Sequence, residues 1–371
     1  MIKPWSYVDE YKLLRSPILK SIDRTLKSGK IFFGNELNNF EKKFLKINKL
    51  KYGIAVGSGT DAIYISLLSL NIGVGDEVLT VSNTAIPTVS AIRSTGAKVK
   101  FVDIGKDYLI DPNQIEKHIN QKTKAIIPVH LYGHSCDMDK IIKIAKKYNL
   151  KIIEDCAQAQ GAKYKNKFVG SFGTMSCFSF YPTKILGTYG DGGFISTKDK
   201  SLYEKVRRIR FYGIDQINKK NIFFNKYYAN EHGINSRIDE IQCSILNLKI
   251  SKVNYFINKR RKLANYYIKN LKNSSLVLPK ENKNCKHVFH LFVVFHPKRK
   301  KIFKELNKRK IKLNINYPYP IHKMRAYKSS KKLKNTEKFS KGIFSLPLYP
   351  HIKKKKIDKV IRCLNHIASN I

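Results

Sequence analysis

The chain has 371 residues, 42% of them hydrophobic, so it can bury sizeable cores and is not a disordered chain. It has no apolar run long enough to span a membrane and no signal-peptide pattern, and its six cysteines lack the paired spacings of zinc sites or disulfide frameworks. These features predict a cytoplasmic protein of two domains.

The net charge of +45, from 72 basic and 27 acidic residues, fits two classes of protein. A nucleic-acid or membrane-surface binder would use it to hold phosphates. However, lysines are spread along the whole chain, with local runs such as Lys353 to Lys356. A lysine-rich surface on an ordinary enzyme is therefore favoured, with no nucleic-acid or membrane partner. An anionic substrate would still gain from this field.

Between residues 52 and 196, short apolar runs alternate with helix-like segments. The strand-like runs are YGIAV, EVLTV, KVKFVDI, KAIIPVHLYG and KIIEDCAQAQ. The helix-like segments between them include TDAIYISLLSLNI, IPTVSAIRSTG and MDKIIKIAKKYNL. This alternation indicates a parallel sheet covered on both faces. We therefore predict an α/β fold, with a large domain at residues 1–245.

The chain after residue 196 is more helical. The segment at 237–271 has helical periodicity and lacks proline and glycine, which predicts one or two long helices. They lead into a smaller C-terminal α/β domain, predicted at residues 246–371. That domain holds a strand in HVFHLFVVFH, a helix in KKIFKELNKRK and the turn-rich NYPYPIH.

Three strand ends carry the residue types of a ligand site, and ligands of open α/β sheets bind at such ends. GSGT follows YGIAV and opens a helix, whose first N–H groups suit an anion. Asp155 and Gln158 follow KIIE, and Lys184 follows CFSFYPT. Each also has an ordinary interpretation: GSGT as a helix cap, Asp155 as a turn residue and Lys184 as a surface lysine that extends its amine to solvent. Together they predict a pyridoxal 5'-phosphate (PLP) site, in which Lys184 bonds the aldehyde and Asp155 pairs with the pyridine nitrogen.

The sequence resembles the sugar aminotransferases of the DegT/DnrJ/EryC1 family, within the fold-type-I PLP enzymes. Eight blocks in family order carry the resemblance: SGKIFFGNELNNFEKKF, GSGTDAIYISL, GDEVLTVSNTAIPTVSAI, IPVHLYGHSCDMDKI, IIEDCAQAQGAKY, FSFYPTKILGTYGDGG, HGINSRIDEIQ and NYPYPIHKMRAY. The resemblance implies PLP as cofactor, L-glutamate as amino donor and a homodimer with shared active sites. It also implies a nucleotide-linked keto sugar as the acceptor.

Site residues are carried over by position. Lys184 matches the Schiff-base lysine of the family, Asp155 the pyridine partner and Gln158 the group near the phenolic oxygen. The phosphate site is matched by Gly59, Thr60, Ser179 and, lent to the neighbouring subunit, Asn235. From GINSR alone, Asn235 would be a helix cap.

The chain departs from the family pattern at three positions. Ala85 replaces an aromatic residue over the cofactor ring, Ile185 an asparagine, and Asn316 a histidine. Lys184 is intact where a dehydrating branch has histidine, so the resemblance implies transamination.

The motifs SFYPTK, NSRIDEIQ and YPYPIHKMRAY look most like the branch acting on dTDP-linked 3-keto-6-deoxyhexoses. The resemblance thus implies a dTDP-3-amino-3,6-dideoxyhexose as product, for deoxyaminosugar biosynthesis such as that of lipopolysaccharide O-antigen. A 4-keto sugar, or an amino acid, is the alternative substrate. Tyr181, Tyr317 and His322 are the candidate substrate residues, although Tyr181 could be core and His322 could stabilise a turn. Arg237 could meet an anionic group or pair with a neighbouring acid.

Overall fold

Helices surround a central sheet in the computed structural model, which describes residues 1–215 and 227–369. The first part contains α1 (Val8–Lys27), α2 (Asn35–Asn48), β1 (Tyr52–Val56), α3 (Gly59–Ser69), β2 (Glu77–Val81), α4 (Ile86–Ser94), β3 (Lys98–Val102), α5 (Pro112–Ile115), β4 (Thr123–Ile126), α6 (Met138–Lys147), β5 (Lys151–Asp155), β6 (Lys163–Tyr164), β7 (Lys167–Phe168), β8 (Met175–Ser179), β9 (Gly193–Thr197) and α7 (Lys200–Ile209). The second part contains α8 (Glu240–Lys249), α9 (Val253–Leu271), β10 (Cys285–Lys286), β11 (Phe292–Phe295), α10 (Arg299–Lys308), α11 (Lys334–Ser340), β12 (Ile343–Leu346) and α12 (Lys354–Ser369).

The central sheet has, among these described residues, seven strands in the order β1-β9-β8-β5-β4-β2-β3. Neighbours from β3 through β2, β4 and β5 to β8 run parallel, and β9 is antiparallel to both β8 and β1. The inner strands β2, β8 and β9 are buried almost throughout, as expected when helices cover both faces of the sheet. The predicted α/β fold with a mainly parallel sheet is confirmed.

One predicted strand is shorter than its sequence pattern. KAIIPVHLYG contains β4 only as far as Ile126, after which the chain leaves the sheet. It turns at Tyr132, with φ of +60°, and at Gly133, with φ of +95°. The residues from 127 onward therefore form a loop over the carboxyl edge of the sheet, where they can contribute to a site.

The C-terminal part has a core of its own. β11 and β12 pair antiparallel, and their side chains pack with those of α9, α10 and α12 in one buried cluster. The predicted long helical segment is two helices, α8 and α9, joined by one short helical turn at Ile250–Lys252. Residue 245 lies within α8, which packs against α1 and α2. The division of the chain at this point remains a prediction.

The strand register brings the ends of several strands to one edge. Gly193, the first residue of β9, lies between Val56 of β1 and Ser179 of β8. Asp155, the last residue of β5, pairs with Cys177 of the same β8 strand. The residues that follow these strands are therefore assembled at the carboxyl edge, although they are far apart in sequence. No helix in the described part of the chain is both long and apolar enough to cross a bilayer.

Candidate active site

A small cradle forms where the first turn of α3 meets the ends of β8 and β9. A β-carbon at Gly59 would lie 2.8 Å from that of Ser179, and one at Gly193 would lie 2.2 Å from the carbonyl oxygen of Ser58. Glycine is therefore required at both positions. Thr60 follows in the same turn, where the Asp61 amide donates to the Ser58 hydroxyl at 3.0 Å, while the Gly59 and Thr60 amides have no acceptor within the helix. Together with the helix dipole, these groups make the cradle suitable for an anion.

The Asp155 carboxylate is buried at the sheet edge and held by two donors. Its Oδ2 atom accepts a hydrogen bond of 2.8 Å from the Thr88 hydroxyl, and its Oδ1 atom accepts one of 3.1 Å from the Ala157 amide. Buried carboxylates need such partners, because the charge loses its hydration. The two contacts fix the direction in which this charge faces.

The Gln158 amide is oriented by two neighbours. Its Oε1 atom accepts a hydrogen bond of 2.9 Å from the Tyr132 amide, and its Nε2 atom donates one of 2.9 Å to the Tyr317 hydroxyl. A backbone N–H can only donate, so the oxygen must face Tyr132. The NH₂ group then has a second proton to offer a ligand. Gln158 is thus set as a donor, and its contact with a phenolic oxygen stays a prediction.

Lys184 lies in the turn after β8, where its backbone amide donates to the Tyr181 carbonyl at 2.9 Å. Its side chain is half-buried. Burial lowers the pKa of Lys184 to about 8, although the nearby Asp155 carboxylate acts to raise it. Near neutral pH a larger fraction of this amine is unprotonated than for an ordinary lysine. Lys184 therefore has the surroundings of a nucleophile rather than of a surface charge.

Of the candidate substrate residues, Tyr317 is joined to the predicted site through the hydrogen bond that its hydroxyl accepts from Gln158. Burial raises the pKa of Tyr317 to about 12, which keeps the phenol protonated. Tyr181 lies three positions before Lys184 in sequence. Its side chain is 51% exposed, so it is not a core residue. For Tyr317 and Tyr181, contact with the substrate stays a prediction.

His322 is engaged on both sides of its ring. Its Nδ1 atom lies 2.7 Å from the Ser82 hydroxyl, and its Nε2 atom lies 3.1 Å from the Glu337 carboxylate. The side chain is fully buried. These contacts support the alternative that His322 holds the YPYPIH turn against the end of β2. Its predicted contact with substrate would then be indirect.

Asn235 is exposed, next to a residue that touches the cradle. The following residue, Ser236, accepts a hydrogen bond of 2.9 Å from the Gly57 amide and donates one of 2.7 Å to Asp61 at the start of α3. The Arg237 guanidinium lies 4.2 Å over the Phe32 ring and 5.5 Å from the centre of the Phe211 ring, so its predicted contact with an anionic group stays a prediction.

Ala85, Ile185 and Asn316, the three residues that differ from the family pattern, lie in different parts of the structure. Ala85 is the residue before α4, and Ile185 is buried in the core. The Asn316 carbonyl accepts a hydrogen bond from the Tyr132 hydroxyl, and its side chain accepts one of 3.0 Å from Ser345. Asn316 thus supports the turn that carries Tyr317.

Thr88, which orients Asp155, and Tyr132, which orients Gln158, were not among the predicted site residues. Thr88 lies in a predicted helix, away from any strand end. Tyr132 lies near the end of the predicted strand KAIIPVHLYG, but it acts through its backbone amide, which side-chain type does not reveal. Both lie within family-like blocks, which was the signal available. The assembled site combines an activated amine, a carboxylate, a donor amide and an anion cradle, which suits a phosphorylated aldehyde.

The DegT/DnrJ/EryC1/StrS aminotransferase family matches residues 13–365 of the chain. The chain is 41% identical over 351 residues to the dTDP-3-amino-3,6-dideoxy-alpha-D-galactopyranose transaminase of Aneurinibacillus thermoaerophilus, with 94% of each chain covered. It is 38% identical over 377 residues to the dTDP-3-amino-3,4,6-trideoxy-alpha-D-glucose transaminase of Micromonospora megalomicea subsp. nigra, with 99% of each covered. The crystal structure of S. venezuelae DesV in complex with a ketimine intermediate superposes with a TM-score of 0.94, at 35% identity, over 99% of this chain and 98% of that one.

Proposed function

Because this chain belongs to the DegT/DnrJ/EryC1/StrS aminotransferase family and is an aminotransferase, we propose that it uses PLP to aminate C3 of a dTDP-linked 3-keto-6-deoxyhexose, with L-glutamate as donor. The observation that carries the proposal is the juxtaposition of Lys184, Asp155 and Gln158 at one sheet edge. The two transaminases of known substrate support the choice of sugar, since both are named for dTDP-3-amino sugars. The nucleic-acid alternative rested on charge alone, and the family offers it no support.

The site residues fit the parts of PLP. The cradle of Gly59, Thr60 and Ser179 would hold the phosphate, and Gln158 would donate to the phenolic oxygen. Asp155 would pair with the pyridine nitrogen, and Lys184 would attach covalently at the aldehyde carbon. When bound, PLP supplies an electron sink for the carbanion character that develops during amino transfer.

Lys184 has a second task once the amino donor has displaced it. Its Nζ atom can take a proton from the donor's α-carbon and return it as a general acid. A pKa near 8 suits both directions of transfer, because the amine is then neither fully protonated nor a very weak base near neutral pH. The Asp155 charge stays fixed by Thr88 and Ala157 throughout.

The active unit that we propose is a homodimer with shared sites. Three large side chains near the site residues are exposed: Ile86, Tyr181 and Tyr212, at 44%, 51% and 47%. Two of the three are tyrosines, a residue type that is enriched at subunit interfaces. Asn235 is exposed as well, so it is free to reach the phosphate of a neighbouring subunit, as in the family.

Sharing of sites predicts complementation between inactive chains. Lys184→Ala removes the amine, and Asn235→Asp places a negative charge against the neighbour's phosphate. After subunit exchange in equal amounts, half of the dimers are mixed, and each of these has one intact site. We expect about a quarter of wild-type activity per total site to return, measured by glutamate-dependent turnover.

The matched control mixes Lys184→Ala with Asp155→Asn chains. Both residues belong to the site of their own chain, so every mixed dimer retains a defect in each site, and no activity should return. If verified exchange of Lys184→Ala and Asn235→Asp chains, both inactive alone, restores nothing, each site belongs to one chain.

The enzyme is expected to aminate one carbon of the sugar, C3, in preference to C4. With glutamate and a panel of nucleotide-linked 3-keto and 4-keto sugars, we expect a preference of about a hundredfold for the dTDP-linked 3-keto-6-deoxyhexose. The reason is geometric, because a misplacement of about 1 Å costs roughly a hundredfold in rate. Product mass and NMR identify the carbon. A preferred 4-keto sugar would overturn the choice of carbon, and turnover of amino acids alone would overturn the sugar substrate.

A further inference from the structure

Glu154 is a buried carboxylate next to Asp155 that no part of the mechanism above uses. It is fully buried in β5, one residue before the strand ends. Successive residues of a strand face opposite sides, so the side chain of Glu154 points away from that of Asp155. A charge in this position must be matched by several donors. The identity of those donors indicates what the residue does.

The first donors come from one loop after β7. The Oε1 atom accepts hydrogen bonds of 2.7 Å from the amides of Phe172 and Gly173, and the Oε2 atom accepts one of 2.8 Å from the Gly170 amide. The fourth donor is His130, whose Nε2 atom lies 3.0 Å from Oε2. Both carboxylate oxygens therefore accept two hydrogen bonds each.

The tautomer of His130 follows from its other nitrogen. Its Nδ1 atom accepts a hydrogen bond of 3.1 Å from the Cys136 amide, so it carries no proton. The proton is on Nε2 and is donated to Glu154. Cys156 lies near both groups, and the three have the spacing of metal ligands. The two groups that would be the main ligands are already engaged, since Glu154 accepts four hydrogen bonds and the Nε2 atom of His130 bears a proton.

His130 and Cys136 are the two ends of the loop that contains Tyr132. One end is also fixed to the strand, because the His130 amide donates to the Asp155 carbonyl at 3.0 Å. The other end is fixed through the His130 ring, which joins the Cys136 amide to Glu154. Between these two points, the Tyr132 amide donates to the Gln158 oxygen. The Glu154 carboxylate therefore acts on Gln158 through the 130–136 loop, both ends of which are held by hydrogen bonds.

The carboxylate form of Glu154 is the form that these contacts stabilise. Burial alone would raise the pKa of Glu154, but the hydrogen bonds from His130 and from the Gly173 and Gly170 amides lower it below its ordinary value. A neutral glutamine of the same shape has one acceptor oxygen and an NH₂ group that would meet two N–H donors. At least two of the four hydrogen bonds would then be lost, and buried donors would be left unpaired.

We propose that Glu154 is a positioning residue for the cofactor: it fixes the 130–136 loop so that the Tyr132 amide holds Gln158 in the orientation that donates to the phenolic oxygen of PLP. This inference rests on the proposed function, since it assumes that PLP occupies the site. It adds a role that depends on charge and hydrogen bonding on the opposite side of β5 from the cofactor. Gln158 makes the contact, and Glu154 sets its direction.

The test measures PLP binding to the apoprotein and the visible absorption of the bound cofactor as pH is varied. For Glu154→Gln we expect the Kd for PLP to rise about tenfold, and the pH at which the visible band changes to move by about one unit, as for the loss of one or two hydrogen bonds. His130→Gln, which removes the ring but leaves the three amides on Glu154, should act in the same direction more weakly.

The matched control is Glu240→Gln. Glu240 is also buried and accepts three backbone hydrogen bonds, from Gly34, Glu36 and Leu37, at 2.8, 2.8 and 3.1 Å. Its substitution should lower the melting temperature about as much as Glu154→Gln does. Its cofactor titration should match that of the wild type. This comparison separates loss of stability from loss of position.

A double substitution tests the route through Gln158. If Glu154 acts through Gln158, then Glu154→Gln added to Gln158→Ala should change the Kd for PLP less than twofold, because coupled residues are not additive. An equal effect in both backgrounds would overturn the proposal. Unchanged binding and titration in both Glu154→Gln and His130→Gln would do so as well. A wild-type protein with no visible cofactor band would instead contradict the proposed function itself.

Discussion

Replacing Lys184 by alanine is expected to lower the transamination rate about 10⁴-fold or more, while the protein still folds. Alanine has neither the amine that attaches the cofactor nor the base that moves the proton. The variant should still bind PLP without a covalent bond, through the α3 cradle and the Asp155 charge. Glutamate-dependent turnover and reduction of the bound cofactor with borohydride measure the two losses separately.

Lys184→Arg is the matched control for charge. It keeps a positive side chain, but a guanidinium stays protonated and cannot attach to an aldehyde. It should be as inactive as Lys184→Ala. A further control, Lys167→Ala, removes an exposed lysine and should keep the wild-type rate. Wild-type turnover in either Lys184 variant would show that another amine carries the cofactor.

The pKa of Lys184 gives this prediction a pH dependence. Burial lowers the pKa to about 8, and the reactive form is the neutral amine. The rate at which apoprotein captures PLP covalently should therefore rise as pH rises toward about 8 and level off above it. An ordinary lysine would continue to gain up to about pH 10. A rate that keeps rising beyond pH 9 would indicate that the site does not lower this pKa.

Much of the site could be predicted because it lies at strand ends. β1, β5 and β8 are apolar runs bounded by polar or small residues, so Gly59, Asp155 and Lys184 stood out from the pattern. In a parallel sheet the carboxyl ends of such strands meet at one edge. The structure places them there, with Gly59 against Ser179 and Asp155 near Lys184.

The residues that orient these groups could not be predicted from pattern. Thr88 bonds to Asp155 although the two residues are 67 positions apart in sequence. Glu154 is an acidic residue within a strand, and its role is seen only from its four hydrogen-bond donors in the structure. Tyr132 stood in what read as one long strand, although Pro128 falls two positions after β4 ends and proline seldom lies inside a central strand. The departure depends on a left-handed turn at Tyr132 and Gly133, which tertiary contacts with Gln158 and Asn316 stabilise.

The substrate residues show a different limit. Tyr181, Tyr317 and His322 were chosen from motifs, and motifs do not state which way a side chain points. His322 is fully buried between Ser82 and Glu337, so family-like spacing alone did not distinguish a pocket residue from one that holds a turn. For the two tyrosines the substrate contact stays a prediction: Tyr181 is exposed, and the Tyr317 hydroxyl accepts a hydrogen bond from Gln158.

Asp155→Asn is expected to lower the transamination rate by about a hundredfold to a thousandfold. The carboxylate would hold the proton on the pyridine nitrogen by its charge, and a neutral amide cannot. The local fold should survive, because asparagine can still accept from the Ala157 amide and donate to the Thr88 hydroxyl, which can reverse its role. Single-turnover rates with glutamate isolate the chemical step.

The control for this substitution is Asp199→Asn. Asp199 also loses a charge there, but it caps the exposed start of α7 and lies outside the site. Its rate should match the wild type. The Asp155 effect should also appear in both half-reactions, since each passes through the same charge development on the ring. An Asp155→Asn enzyme with an unchanged single-turnover rate would mean that Asp155 is not the group that keeps the pyridine nitrogen protonated.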